Sequence, residues 1–188
     1  MRDLEIRGAG NILGTEQSGH IALVGYELYC ELLEDAIRRL KRLPPKTVID
    51  VDIDLPCQAY LPKEYVADMR AKIDLYRRLA RVANRSELDD FREELVDRFG
   101  SLPPPVERLL TLAEMRIDAH HWRIQSIHLE DRYAVLRYAS TRQIRQLAAL
   151  SGDRLRVVDE RSAYLPLPEE VREPDRILKH LKLLLQLR

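Results

Sequence analysis

The period of the apolar residues changes once along the chain, and that change limits the fold more than any other feature. From Lys63 to Val82, Tyr65, Met69, Ile73, Tyr76 and Leu79 recur at helical spacing. Ser86 with Asp89 reads as a capping-box start for a second helix through Arg98, and Gly100 stands where a helix should stop. Pro103 to Pro105 open a third helix to about His121, with Val106, Leu109, Leu110, Ala113 and Ile117 facing inward. After Trp122 the period shortens to two. IQSIHL and YAVLRY flank Glu130, Asp131 and Arg132 as a hairpin, and RLRVV and AYLPL follow as short strands. Thr141 is expected to cap a short helix ending near Gly152, and RILKHLKLLLQLR closes the chain as an amphipathic helix. Upstream, TVIDVDIDL alternates Ile49, Val51, Ile53 and Leu55 with Asp50, Asp52 and Asp54, a strand with one buried face. Helices and strands are grouped and do not alternate regularly, so the expected class is α+β, with several helices packed on a small, mainly antiparallel sheet.

A composition shift near residue 45 divides the chain into segments 1–45 and 46–188. In the first, Leu28, Leu32, Ala36, Leu40 and Leu43 form one helical stripe with Ser18 as its N-cap, and Pro44 and Pro45 end it. Before it, EIRGAGNILGTEQSGHI has the glycine density of a phosphate loop. The dinucleotide pattern G-x-G-x-x-G nevertheless fails, because position 13 is Leu, and neither Gly14 nor Gly19 is followed by the Lys of a P-loop. The glycines read as sharp backbone turns.

Other chemistry is excluded on similar grounds. Lys and Arg total 31, as do Asp and Glu, so no global field draws the chain to nucleic acid or membrane. Cys30 and Cys57 are far apart and form no C-x-x-C, which suits a reducing compartment, and no apolar run reaches bilayer length, so a cytoplasmic protein without membrane contact is expected. Asp50, Asp52 and Asp54 stand off a strand about 7 Å apart and do not converge on one ion. His20, His120, His121, His128 and His180 lack partners at metal-ligand spacing, and no catalytic or cofactor-binding constellation is visible. The clusters Arg38, Arg39, Lys41, Arg42 and Arg77, Arg78, Arg81, Arg85 are interleaved with acids and read as solvated helix faces; a salt-sensitive contact to a DNA backbone is the alternative. In FREELVDRFG, Leu88, Phe91, Leu95 and Phe99 form the apolar face and leave Glu94 and Asp97 as neighbouring carboxylates at i, i+3. A cationic partner surface is a natural reason for such a pair.

MRDLEIRGAGNILGTEQSGHIALVGYELYCELLEDA (1–36) and ELVDRFGSLPPPVERLL (94–110), in that order and spacing, resemble the C-terminal end of the bacterial transcription-repair coupling factors, ATP-driven DNA translocases that remove stalled RNA polymerase at lesions and recruit excision repair. The resemblance covers nearly the whole chain and is weakest after about residue 123. The first stretch is similar to the translocation motif shared with the RecG branched-DNA helicase, a helical hairpin and loop whose functional Arg and Gln match Arg7 and Gln17. The second lies in a C-terminal domain that, in the resting enzyme, packs on the N-terminal UvrA-binding module and masks it; the acids of that contact fall on Glu94 and Asp97. What the resemblance implies is a 1–45 translocation-coupling segment and a 46–188 regulatory domain, with ATP and Mg, RNA polymerase, UvrA and double-stranded DNA engaged by the parent protein. The chain has no Walker A Lys, no Walker B acid pair and no Q-x-x-G-R-x-G-R segment, so as an excised domain it is expected to be non-catalytic, with residues 1–20 mobile or packed differently from the family.

Overall fold

A computed structural model describes residues 49–152 and 154–187, within the unit Val48–Arg188. The expectations for residues 1–45, including Arg7, Gln17 and the helix over 21–43, lie outside the described residues.

Helices α1 (Met69–Arg81), α2 (Arg85–Phe99) and α3 (Pro104–His121) follow a short strand, β1 (Asp52–Asp54). A hairpin of β2 (Ile124–Glu130) and β3 (Tyr133–Tyr138) leads to α4 (Thr141–Leu150), β4 (Arg156–Val157), β5 (Ser162–Pro166) and α5 (Pro174–Leu185). The sheet order is β1-β2-β3-β5-β4; only β1 and β2 run parallel. The architecture is therefore the expected α+β, mainly antiparallel. No helix among the described residues is long and apolar enough to cross a membrane.

Three helix starts differ from the sequence reading. Helix α1 begins at Met69, not near Lys63, because Tyr65 and Val66 donate to Pro62 O in a separate turn and the Asp68 carboxylate accepts from Ala71 N at 2.8 Å. Asn84, not Ser86, caps α2: its side chain accepts from Glu87 N, and the Glu87 carboxylate accepts from Ala83 N, both at 2.9 Å. Ser140, not Thr141, occupies the N-cap of α4. The ends are more legible, since Gly100 closes α2 at φ 83°. In the hairpin, Glu130 belongs to β2 and the turn narrows to Asp131 and Arg132, where Asp131 takes φ 51°, the left-handed conformation that Asp tolerates.

Helix α3 serves two hydrophobic clusters. Val106, Leu110 and Ala113 pack with Leu75 and Leu79 of α1, Leu88, Phe91 and Leu95 of α2, and Leu61 and Val66. One turn further on, Met115 and Ala119 join the sheet residues Ile127, Leu136 and Leu165, Ile144 and Leu147 of α4, and Ile177, Leu181 and Leu184 of α5. Burying each of these larger side chains contributes about 1.5–3 kcal/mol before entropy is counted.

Polar pairs tie the clusters together. Arg85, the first residue of α2, places Nη2 2.6 Å from the Asp118 carboxylate, whose residue is 1% exposed, and Nη1 3.1 Å from Glu114. A cation at a helix N-terminus opposes the helix dipole, so these carboxylates are what make Arg85 acceptable there. Glu114 also accepts from Lys182 Nζ at 2.6 Å and from Gln186 Nε2 at 3.0 Å, linking α3 to α5. Trp122, buried after α3, donates from Nε1 to Leu185 O at 2.9 Å and satisfies a carbonyl at the end of α5. Replacing Arg85 by Met takes away the guanidinium that pairs with the buried Asp118 carboxylate. Urea denaturation should show a loss of about 2 kcal/mol, below the full cost of a broken buried pair because Arg85 is partly solvated.

Candidate functional site

The last turns of α2 carry the acids singled out by the sequence, and the structure gives them unequal roles. Leu88, Phe91 and Leu95 point the apolar face of α2 into the core, so Glu94 lies at its margin while Asp97 is exposed. Glu94 is gripped from two sides. Arg78 on α1 approaches it as a fork, Nη1 to Oε1 at 2.8 Å and Nη2 to Oε2, and Arg98 places Nη1 2.5 Å from Oε1. The Glu94–Arg98 pair also has the favourable i, i+4 order, acid before base.

Aromatic rings hold the two arginines. The Arg78 guanidinium lies 5.5 Å from the Phe91 ring centre and that of Arg98 4.9 Å from Phe99. Phe99 packs at 5.6 Å against Tyr65, whose hydroxyl lies 3.0 Å from Leu95 O and 3.2 Å from Gly100 O. The helix end is thereby fixed to the turn that precedes α1. Hydrogen bonds from Arg78, assisted by Arg98 and the charges of both, outweigh burial and lower the Glu94 carboxyl from 4.5 to about 2. The same bond raises Arg78. Glu94 is therefore fully ionised at neutral pH.

The mutual repulsion expected of Glu94 and Asp97 is thus answered within the chain for Glu94, and Asp97 is the acid left facing outward, beside Val96, which is 46% exposed. The i, i+4 spacing of Glu94 and Arg98 is a signal that could have paired them. Arg78 was not: it stands sixteen positions away on another helix, within a cluster that reads as a solvated face. That cluster is engaged, since Arg85 is held by Asp118 and Glu114 as Arg78 is by Glu94.

The other candidates stay apart. Asp50, Asp52 and Asp54 are exposed, and among the described residues no group of three His, Cys, Asp or Glu side chains gathers as a metal would require. Of the histidines, His128 is 3.0 Å from Glu130, its neighbour on β2. Burial pushes the Cys57 thiol up against the nearby Arg108, the opposite of nucleophile activation.

Comparison with known proteins places this geometry in a context. The family model described as the TRCF domain matches residues 55–148. The transcription-repair-coupling factor of Bacillus subtilis is 43% identical over 136 residues, 72% of this chain and 12% of the relative, and that of Myxococcus xanthus is 41% identical over 127 residues, 68% and 11%. The chain therefore spans about a tenth of the length of these relatives. A crystal structure of the C-terminal domain of transcription-repair coupling factor superposes with a TM-score of 0.62 at 24% identity, covering 72% of this chain and 89% of that one, a likeness of fold.

The depressed Glu94 pKa sets an acid limit. A carboxyl lowered on folding contributes stability that is complete above its unfolded value of 4.5 and is lost as pH falls towards about 2. After discounting for solvent screening, the amount at stake is about 2 kcal/mol. Acid titration followed by circular dichroism should show Glu94→Gln less stable than the parent at pH 7, with the difference vanishing as the pH nears 2.

Proposed function

The chain belongs to the TRCF domain family, and from that membership we propose that it is the regulatory C-terminal domain of a transcription-repair coupling factor, acting by docking and not by catalysis. Its partner in this reading is the N-terminal UvrA-binding module of the same protein, whose UvrA-recruiting surface it covers until the motor engages. RNA polymerase, UvrA and double-stranded DNA are reached through the parent. Residues 1–45, with Arg7 and Gln17, belong to the segment that couples ATP hydrolysis to DNA movement.

The observation that carries this reading is the acidic end of α2. Glu94 is immobilised by Arg78 and Arg98 before any partner arrives, and Asp97 stands exposed one turn on. A rigid carboxylate loses little further entropy on contact, which favours recognition of a cationic surface. Arg98 holds Glu94 by a single hydrogen bond and is the ligand that an incoming guanidinium could displace; Arg78, which grips both carboxylate oxygens as a fork, is the ligand that would remain. The alternative, contact with a DNA backbone through the arginine-rich helix faces, is weakened by the carboxylates that already hold Arg78 and Arg85.

Calorimetric titration against the UvrA-binding module, with duplex DNA in parallel, tests both readings. Asp97→Arg is the informative variant, because Asp97 is exposed, whereas reversing Glu94 also strips Arg78 of its partner. Affinity for the module should fall by about tenfold or more with Asp97→Arg and further with Glu94→Arg added, at unchanged thermal stability for the single variant. Unaltered binding by Asp97→Arg removes the assignment of this surface. Binding to DNA alone, lost as salt rises, replaces it with the backbone-contact reading.

A further inference from the structure

A second surface lies on the far edge of the sheet and owes nothing to the acids of α2. Strand β4 pairs with β5 over two positions, Arg156 opposite Tyr164 and Val157 opposite Ala163. The ladder goes no further because the next positions of β5 facing β4 are prolines. Leu167 turns its N–H the other way, to Arg132 O at 2.8 Å, so Pro166 and Pro168 are the residues on the β4 side, and neither has an N–H to donate. The two segments separate there and leave a groove of about 320 Å³, lined by Gly152, Arg154, Arg156, Leu165, Pro166 and Pro168, with His180 of α5 contributing to the wall.

Among the described residues, the charge in this groove is one-sided. Arg154 and Arg156 are both exposed, neither forms an ion pair with a carboxylate among the described residues, and no acid is among the described residues that line the groove. Arg154 is oriented by one backbone bond, Nε to Ser151 O at 2.8 Å, which leaves its Nη groups for another acceptor. Burial and the positive charge of Arg154 push the half-buried His180 down. The groove between α3 and α5 shows the usual alternative: there Arg108 meets Asp175 at 2.6 Å and Lys182 meets Glu114 at 2.6 Å, so these two cations are neutralised in place. In a chain of zero net charge, two guanidinium groups with no acid among the described lining residues are a local excess that an anion would balance.

We propose that this groove is a phosphate-binding site, with the Arg154 and Arg156 guanidinium groups taking the phosphate oxygens, His180 adding a further donor, and Leu165, Pro166 and Pro168 forming an apolar wall for the group that carries the phosphate. Two guanidinium forks suit the several acceptor oxygens of a phosphate. The phosphate is either free or part of a nucleic-acid backbone. The site is independent of the docking reading of α2.

The test is a pair of NMR titrations of the full chain in phosphate-free buffer, one with inorganic phosphate and one with a short DNA duplex. The His180 ring and Gly152 amide signals report on the groove. Inorganic phosphate should shift both saturably, with a dissociation constant of about 1 mM or tighter. Arg156→Gln should weaken that binding by about tenfold, the effect of one charge-assisted hydrogen bond, and because Arg156 forms no ion pair among the described residues this variant should keep the parent melting temperature. Shifts from the duplex at the same signals, with the slope of log K against log salt reduced by about one in Arg156→Gln, identify the backbone as the source. Shifts from phosphate alone identify a small phosphate ligand. If His180 and Gly152 are unmoved in both titrations, or if the shifts are the same in Arg156→Gln, the proposal fails.

Discussion

The described structure depends on one helix being used twice. Helix α3 has too many buried positions for a single apolar stripe: Val106, Leu110 and Ala113 face the helical cluster, Met115 and Ala119 face the sheet, and Asp118 is buried among them. A helix sunk this deeply cannot leave a carboxylate uncompensated, because an isolated buried charge costs several kcal/mol. Arg85 supplies the compensation from the first turn of α2, and in doing so ties the capped start of that helix to α3. The position of the acidic end of α2 follows from that anchor, since Glu94 lies about two and a half turns and Asp97 a little over three turns further along a helix whose start is fixed.

A second consequence concerns Arg78. Leu75 and Leu79 of α1 are buried in the same cluster, which turns Arg78 towards α2, where Glu94 and Phe91 receive it. Packing and electrostatics agree at this contact: the fork over Phe91 is dry on one side and paired on the other. Glu94 is thus both part of the fold and part of the candidate surface. Its variants will mix the two effects, whereas Asp97 reports on the surface alone.

The class of fold was legible because the change from helical to alternating period survives without any tertiary information, and because Gly100 and Pro103 to Pro105 punctuate the helices where backbone chemistry requires. Helix starts were less legible. Asn84 and Ser86 are both good capping residues, and only the reciprocal bonds between Asn84, Glu87 and Ala83 decide between them. The candidate site was half legible. Glu94 and Asp97 are adjacent on a helix whatever the fold, but the Arg78–Glu94 pair joins two helices, and no local pattern announces it. The groove at Arg154 and Arg156 was invisible for the same reason, since it arises where prolines in one strand end a ladder with another.

What the two surfaces have in common in the proposed readings is that each acts by contact. In the proposed role, a masking domain joined to its target within one protein would work at high effective concentration, and modest affinity would be enough to keep it in place while permitting release. The acidic end of α2 suits that demand. With Glu94 already satisfied by two arginines, a partner cation gains only the difference between its own pairing and the Arg98 contact it displaces, and the unshared attraction rests on Asp97. Such a contact is selective for charge and position yet weak enough to break when the partner is drawn elsewhere. An acid pair left wholly unsatisfied would bind more tightly, and would be harder to open.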